Sequence, residues 1–216
     1  MTDELELLKK DWQKKEFNVP KLSYEEIHKM IWKKSSSIVK WILIISILEF
    51  AIPQLLYLLP GVKQNMKVYE NIGVSKYFLG VSIIYYIVVL YFIYQFYLRF
   101  KEISVLDNSK NLMRKIIKTH KTVKHYVIFS LATVVLTFLM ILMGIYLNPD
   151  ITHAFPEMGD QLKNVSPEKL KVTLMIAIGL FGLVFVALLG LFYFLIYGLL
   201  LRKLKKNYSE LRQLEF

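Results

Sequence analysis

Residues 172–201 read VTLMIAIGLFGLVFVALLGLFYFLIYGLLL, without one charged side chain. A helix crosses the ~30 Å hydrocarbon core of a bilayer with ~20 residues, so this block is longer than one crossing needs. It is expected to tilt, or to leave the bilayer at its basic end. Three further blocks have the same character: residues 38–59, 77–98 and 126–147. In each, the apolar residues run on without the polar face of a soluble amphipathic helix. The fold class that follows is all-α: a polytopic membrane protein, a bundle of four transmembrane helices with amphipathic cytoplasmic helices attached.

The remaining composition agrees. The chain has 216 residues, 55% of them hydrophobic, above the ~45–50% of ordinary soluble domains. With no cysteine, a disulfide scaffold, a thiol enzyme and a Cys-liganded zinc or iron–sulfur site are excluded. The net charge is +11. Only four of the 28 basic residues are arginine, the residue that pairs bidentately with phosphate and guanine, so nucleic acid is not the expected partner.

The charge is better explained by where it sits. Lys and Arg number nine up to Lys40, eight over 99–125 and five from Arg202 onward. The loops at 60–76 and 148–171 hold three each. The positive-inside rule then places both termini and the 99–125 segment in the cytoplasm. Such segments also gain from anionic lipids on that face of the bilayer. The expected location is a bacterial inner membrane. The first 35 residues are strongly charged, so no cleavable signal peptide is expected.

Three units follow: a cytoplasmic helical tail at 1–37, the four-span domain at 38–201 with its cytoplasmic segment 99–125, and a helical tail at 202–216. In the first tail, Leu5, Leu8 and Trp12 form one apolar stripe. Ser23 and Glu26 fit a capping box, after which Ile27, Met30 and Ile31 make the next apolar face. These six residues are a candidate surface for a soluble cytoplasmic protein. The alternative is a helix lying on the inner leaflet or packing on the chain's own loop. Between Asp107 and His125, Leu112, Ile116, Ile117 and Val123 share a side, so the third helix is expected to start well before its span. Ser166 and Pro167 mark the start of the fourth.

Within the spans, Glu49 stands out. A carboxylate deep in the bilayer is costly, so the acid is expected to be protonated or to face the bundle interior. Counting depth from the span midpoints gives Tyr85, Tyr86 and Thr137 as its neighbours. The site is then either a proton- or cation-binding group or a neutral acid that hydrogen-bonds helices together. Pro53, one turn later, frees the Glu49 carbonyl and is expected to kink the helix. Ser130, Thr133, Thr137 and Gly144 on the third span, and Gly179, Gly182, Ala187 and Gly190 on the fourth, read as close-packing faces.

Metal and catalytic motifs are not found. His28, His120 and His125 fall on the cytoplasmic side and His153 on the other, so they do not converge. HExxH, GxSxG and a glycine-rich phosphate loop do not occur. No cofactor is implied, and the chain is not expected to be an enzyme.

Three stretches carry a resemblance: ELELLKKDWQKKE at 4–16, YEEIHKMIWKKSSSIVKWI at 24–42 and NLMRKIIKTHKTVKHYV at 111–127. Together they resemble a group of flavobacterial four-span inner-membrane proteins often called beta-carotene 15,15′-monooxygenases. The resemblance implies a topology and a location, and it transfers no catalytic residues, since carotenoid cleavage uses iron held by several histidines. Two layouts frame the function, the first as the leading reading and the second as its alternative. A helical tail before a first span is similar to membrane-bound anti-sigma factors, by layout only, and implies a regulatory protein with a cytoplasmic interaction surface. Four spans with one glutamate in the first are similar in layout to small multidrug-resistance transporters. That implies a proton- or cation-coupled transporter acting as a homodimer.

Overall fold

A computed structural model describes residues 6, 10, 23–56, 58, 67–104, 108–149, 151 and 166–214. Its long elements are α1 (Tyr24–Leu56), α3 (Ser75–Ser104), α4 (Ser109–Leu147) and a last rod made of α5 (Pro167–Tyr193), a π-helical turn (Phe194–Gly198) and α6 (Leu199–Leu214). A short α2 (Lys67–Asn71) precedes α3. There is no strand among the described residues. All four long helices are long and apolar enough to cross a membrane. The chain is thus an all-α, multi-pass membrane protein. Its apolar outer surface, including Leu79, Ile84, Leu139, Leu180 and Leu183, is exposed in the bundle and suits a lipid surround.

Local chemistry fixes where the helices start. Ser23 and Glu26 form the reciprocal capping box: the Ser23 amide donates to Glu26 Oε2 at 2.8 Å and the Glu26 amide to Ser23 Oγ at 3.2 Å. Asn108 caps α4 by accepting from the Asn111 amide at 3.0 Å. Ser166 and Pro167 open α5. At 39 residues α4 is about 58 Å long at ~1.5 Å per residue, well beyond a bilayer core. α1 likewise runs unbroken from Tyr24 through Pro53 to Leu56, so the tail from Tyr24 onward and the first span share one rod.

Around the bundle, α1 lies between α3 and the last rod, which it meets chiefly through α6, and α4 packs on α3, α5 and α6. At the basic end, Ile31, Val39, Ile103, Leu112, Ile116 and Leu204 close a core, with Ile27 and Tyr208 packed on it. Ile117, expected on the same side as Leu112 and Ile116, faces outward and is exposed, because one residue beyond Ile116 turns the helix by about 100°. At the opposite end, Ile72, Val74, Ile145 and Ile151 form a separate cluster.

Polar pins set the register. Tyr24 and Ser109 hydroxyls pair at 2.7 Å, and the Trp32 indole donates to the Ile103 carbonyl at 2.7 Å. The Asn207 amide donates to the fully buried Ser35 hydroxyl at 3.0 Å. This last pair links α1 to α6 away from water. Asn207→Leu strands the Ser35 hydroxyl, and losing the partner of a buried polar group costs about 1–3 kcal/mol. Denaturant unfolding in micelles is expected to show that loss, with Ser35→Ala in the same chain recovering part of it.

Candidate functional site

The antiparallel register of α1 against the last rod decides what Glu49 meets. Ser35 pairs with Asn207, and fourteen residues further along both helices Glu49 lies against Tyr193. The Tyr193 hydroxyl donates to Glu49 Oε1, and the Tyr197 hydroxyl donates to Oε2 at 3.1 Å. One residue on the fourth span would reach one carboxylate oxygen; two residues four apart reach both. The π-helical turn Phe194–Gly198 follows directly on Tyr193 and contains Tyr197. Single π turns inside α-helices recur at functional sites.

A third tyrosine completes the ring. Tyr126 of α4 is fully buried, with its centroid 6.5 Å from that of Tyr193 and 5.9 Å from that of Tyr197, edge to face in both cases. Tyr193 and Tyr197 are themselves 5.9 Å apart. One turn along α4 from Tyr126 lies Ser130, 2% exposed. The hydroxyls of Tyr126 and Ser130 are buried and form no hydrogen bond of ordinary geometry among the described residues, yet both sit in the same cluster, Tyr126 beside Glu49 and Tyr197, and Ser130 beside Tyr193. Buried polar groups are nearly always satisfied, so two orphans beside a half-buried acid mark a place with unused hydrogen-bonding capacity.

Of the neighbours expected from depth counting, Tyr85 lies within electrostatic reach of Glu49 and Tyr193 and packs on the same cluster, while Tyr86 and Thr137 make their hydrogen bonds elsewhere. Tyr86 exchanges hydrogen bonds with Gln54, the Gln54 amide donating at 2.9 Å. Thr137 donates to the Thr133 carbonyl of its own helix at 2.9 Å. Tyr85 stacks on Phe129 with centroids 6.2 Å apart. The correction has a physical reason. Depth counting sets the midpoints of all spans in one plane, whereas the helices are rods of unequal length locked by contacts at the basic end. Those contacts bring Glu49 level with Tyr126, the first residue of the third apolar block, and so nearer the basic end than the middle.

The other singled-out residues can also be placed. Ile31 is buried in the bundle's own core and Ile27 packs on it, while Met30 is exposed. Leu5, Leu8 and Trp12 lie outside the described residues, as does His153. His120 and His125 are exposed and His28 is half-buried. Among the described residues no three His, Cys, Asp or Glu side chains come together as a metal site would need. Of the small residues, Gly144 lies against Ile72 and Val74, and Gly182 against the Phe138 ring; a side chain at Gly179 or Gly190 would meet open space. A cavity of about 650 Å³ at the end away from the basic segments is lined by Ile72, Val81, Met140 and Gly144. It holds no charged group, and its chemistry is that of a lipid-facing crevice.

A bundle of helices long and apolar enough to cross a membrane, with an acid of the first apolar block ringed by tyrosines, defines a class: a multi-pass α-helical membrane protein with a polar cluster between its helices. The chain belongs to the family described as Domain of unknown function (DUF8845), whose model matches residues 25–216. No curated protein and no solved structure matches it.

Proposed function

We propose that the chain is a small proton- or cation-coupled transporter of a bacterial inner membrane, with Glu49 as the group that takes and releases the ion. Both termini and the 99–125 segment face the cytoplasm in this reading, which the distribution of Lys and Arg supports. One observation carries the functional reading: the only acid within the apolar blocks sits in a ring of three buried tyrosines and Ser130, two of whose hydroxyls form no hydrogen bond of ordinary geometry among the described residues. An acid that merely tied two helices together needs the Tyr193 and Tyr197 bonds and nothing more. The spare hydroxyls give a bound ion, or the water that carries a proton, the further oxygens it requires. With one acid in the apolar blocks of each chain, a second copy supplies the second acid that a coupled cycle of this layout uses.

Tyr126→Phe tests the reading. If the ring only packs, deleting an unsatisfied buried hydroxyl is neutral or stabilising. If the hydroxyl serves the ion, proton- or sodium-driven flux in proteoliposomes falls about tenfold, the equivalent of ~1.4 kcal/mol, with folding unchanged. A Tyr126→Phe protein with full coupled flux contradicts the proposal.

The docking reading of the first tail ranks second. Ile27 and Ile31 are turned onto the chain's own bundle, which leaves Met30 and the stripe of Leu5, Leu8 and Trp12 to carry it. Affinity capture with residues 1–36 present and deleted tests it: a soluble partner lost on deletion would favour a regulatory role.

A further inference from the structure

Where α1 and α6 leave the apolar part of the bundle, a groove of about 620 Å³ opens between them. Lys33 and Lys34 of α1 stand on one side and Lys203 and Lys206 of α6 on the other. Trp41 and Leu200 form its apolar end. The groove has one carboxylate, Glu210, at 3.9 Å from Lys206. Four lysines against one glutamate leave the lining at +3.

We propose that this groove binds the headgroup of an anionic phospholipid. The charge asks for an anion: like charges held on two packed helices repel each other, and the single local acid offsets only one. The position asks for a lipid. The lysines lie just beyond Trp41 and Leu200, where the apolar blocks begin, and Trp41 is exposed beside them, as the ring of an interfacial anchor is. A phosphate at the level of the four ammonium groups leaves its acyl chains to run along the exposed apolar face past Trp41 and Leu200. Lysine stems lie along such a surface while their ammonium groups reach the headgroup. A free phosphate would use the charge and leave the apolar end without a role. The shape separates this site from the general attraction of a basic juxtamembrane surface, which needs no groove. The site rests on the membrane-spanning class of the chain and is independent of the role given to Glu49.

The test uses the purified full chain in nanodiscs of mixed phosphatidylglycerol and phosphatidylcholine. After release into detergent, native mass spectrometry counts the lipids that stay bound. The wild type is expected to retain phosphatidylglycerol over phosphatidylcholine. In K33Q/K34Q/K203Q/K206Q that preference falls about fivefold for each lysine removed. K110Q/R114Q/K118Q/K121Q removes the same charge from exposed positions of α4 and is expected to keep the preference. If the quadruple groove variant does not fold, the pairs K33Q/K34Q and K203Q/K206Q are read separately, each with a partial loss. Three results overturn the proposal: equal loss in the α4 variant, no preference in the wild type, or full displacement of the lipid by inorganic phosphate.

Discussion

Glu49→Gln is expected to abolish coupled flux while leaving the bundle folded. The amide is nearly isosteric, its carbonyl accepts from one tyrosine, and its NH₂ donates to the oxygen of the other, so both hydrogen bonds at the site have replacements. What it cannot do is exchange a proton or neutralise a cation. In proteoliposomes driven by a proton or sodium gradient, flux is expected to fall at least about tenfold, a loss of ~1.4 kcal/mol or more. Unfolding in micelles should move by less than about 1 kcal/mol, the net worth of an ordinary hydrogen bond. Glu49→Leu separates the two roles from the other side. It strands the hydroxyls of Tyr193 and Tyr197, each at about 1–3 kcal/mol, and so reduces stability as well as flux. A structural acid would show the reverse pattern, with stability tracking the hydrogen bonds and no flux to lose.

The largest purely structural effect is expected at Gly144. It is buried, and a Cβ built there would collide with the Val74 side chain and come within 2.7 Å of Ile72 Cγ2. Those residues lie on the turn that joins α2 to α3, where Gly73 adopts φ 82°, a conformation that favours glycine. The turn is also tied to α4 by the Asn148 side-chain amide, which donates to the Asn71 carbonyl at 3.1 Å. Both clashing methyls are Cγ atoms of β-branched residues with a restricted χ1, so they move only with the backbone of the turn, and Gly144→Ala is expected to cost about 1–3 kcal/mol, the usual penalty for overpacking. Thermal unfolding in micelles measures it. The control is Gly179→Ala, where a Cβ meets open space and helix propensity favours alanine, so that variant should match or exceed the wild type.

The helices were legible because a membrane span announces itself by length and by absence of charge. The starts at Ser23 and at Ser166–Pro167 were legible too: Ser23 and Glu26 bond reciprocally, whereas Ser166 makes no side-chain cap bond and the helix opens on Pro167. Glu49 was legible for the same reason, as the one acid inside an apolar block. Its partners were not. Tyr193 and Tyr197 lie in a run of phenylalanine, leucine and tyrosine with nothing to separate them from packing residues, and no residue in FLIYG announces the π turn. Tyr126 stands between the basic segment and the third span and reads as an interfacial aromatic. The information that joins them is tertiary: the Ser35–Asn207 and Trp32–Ile103 contacts that fix how far each rod slides past the next. A pair of hydroxyls one turn apart, as at Tyr126 and Ser130, was the one local signal available. Ser130 taken alone reads as part of a small-residue packing face.

The claim that Glu49 exchanges an ion is tested most directly by infrared difference spectroscopy on the full chain in liposomes, recorded between acid and alkaline pH and with or without sodium. The carboxyl C=O stretch of a buried protonated acid is expected to appear and vanish with those changes, and to be missing from the Glu49→Gln protein. A carboxyl band at Glu49 that stays constant across pH and cation would make it a fixed hydrogen-bonding acid and contradict the account.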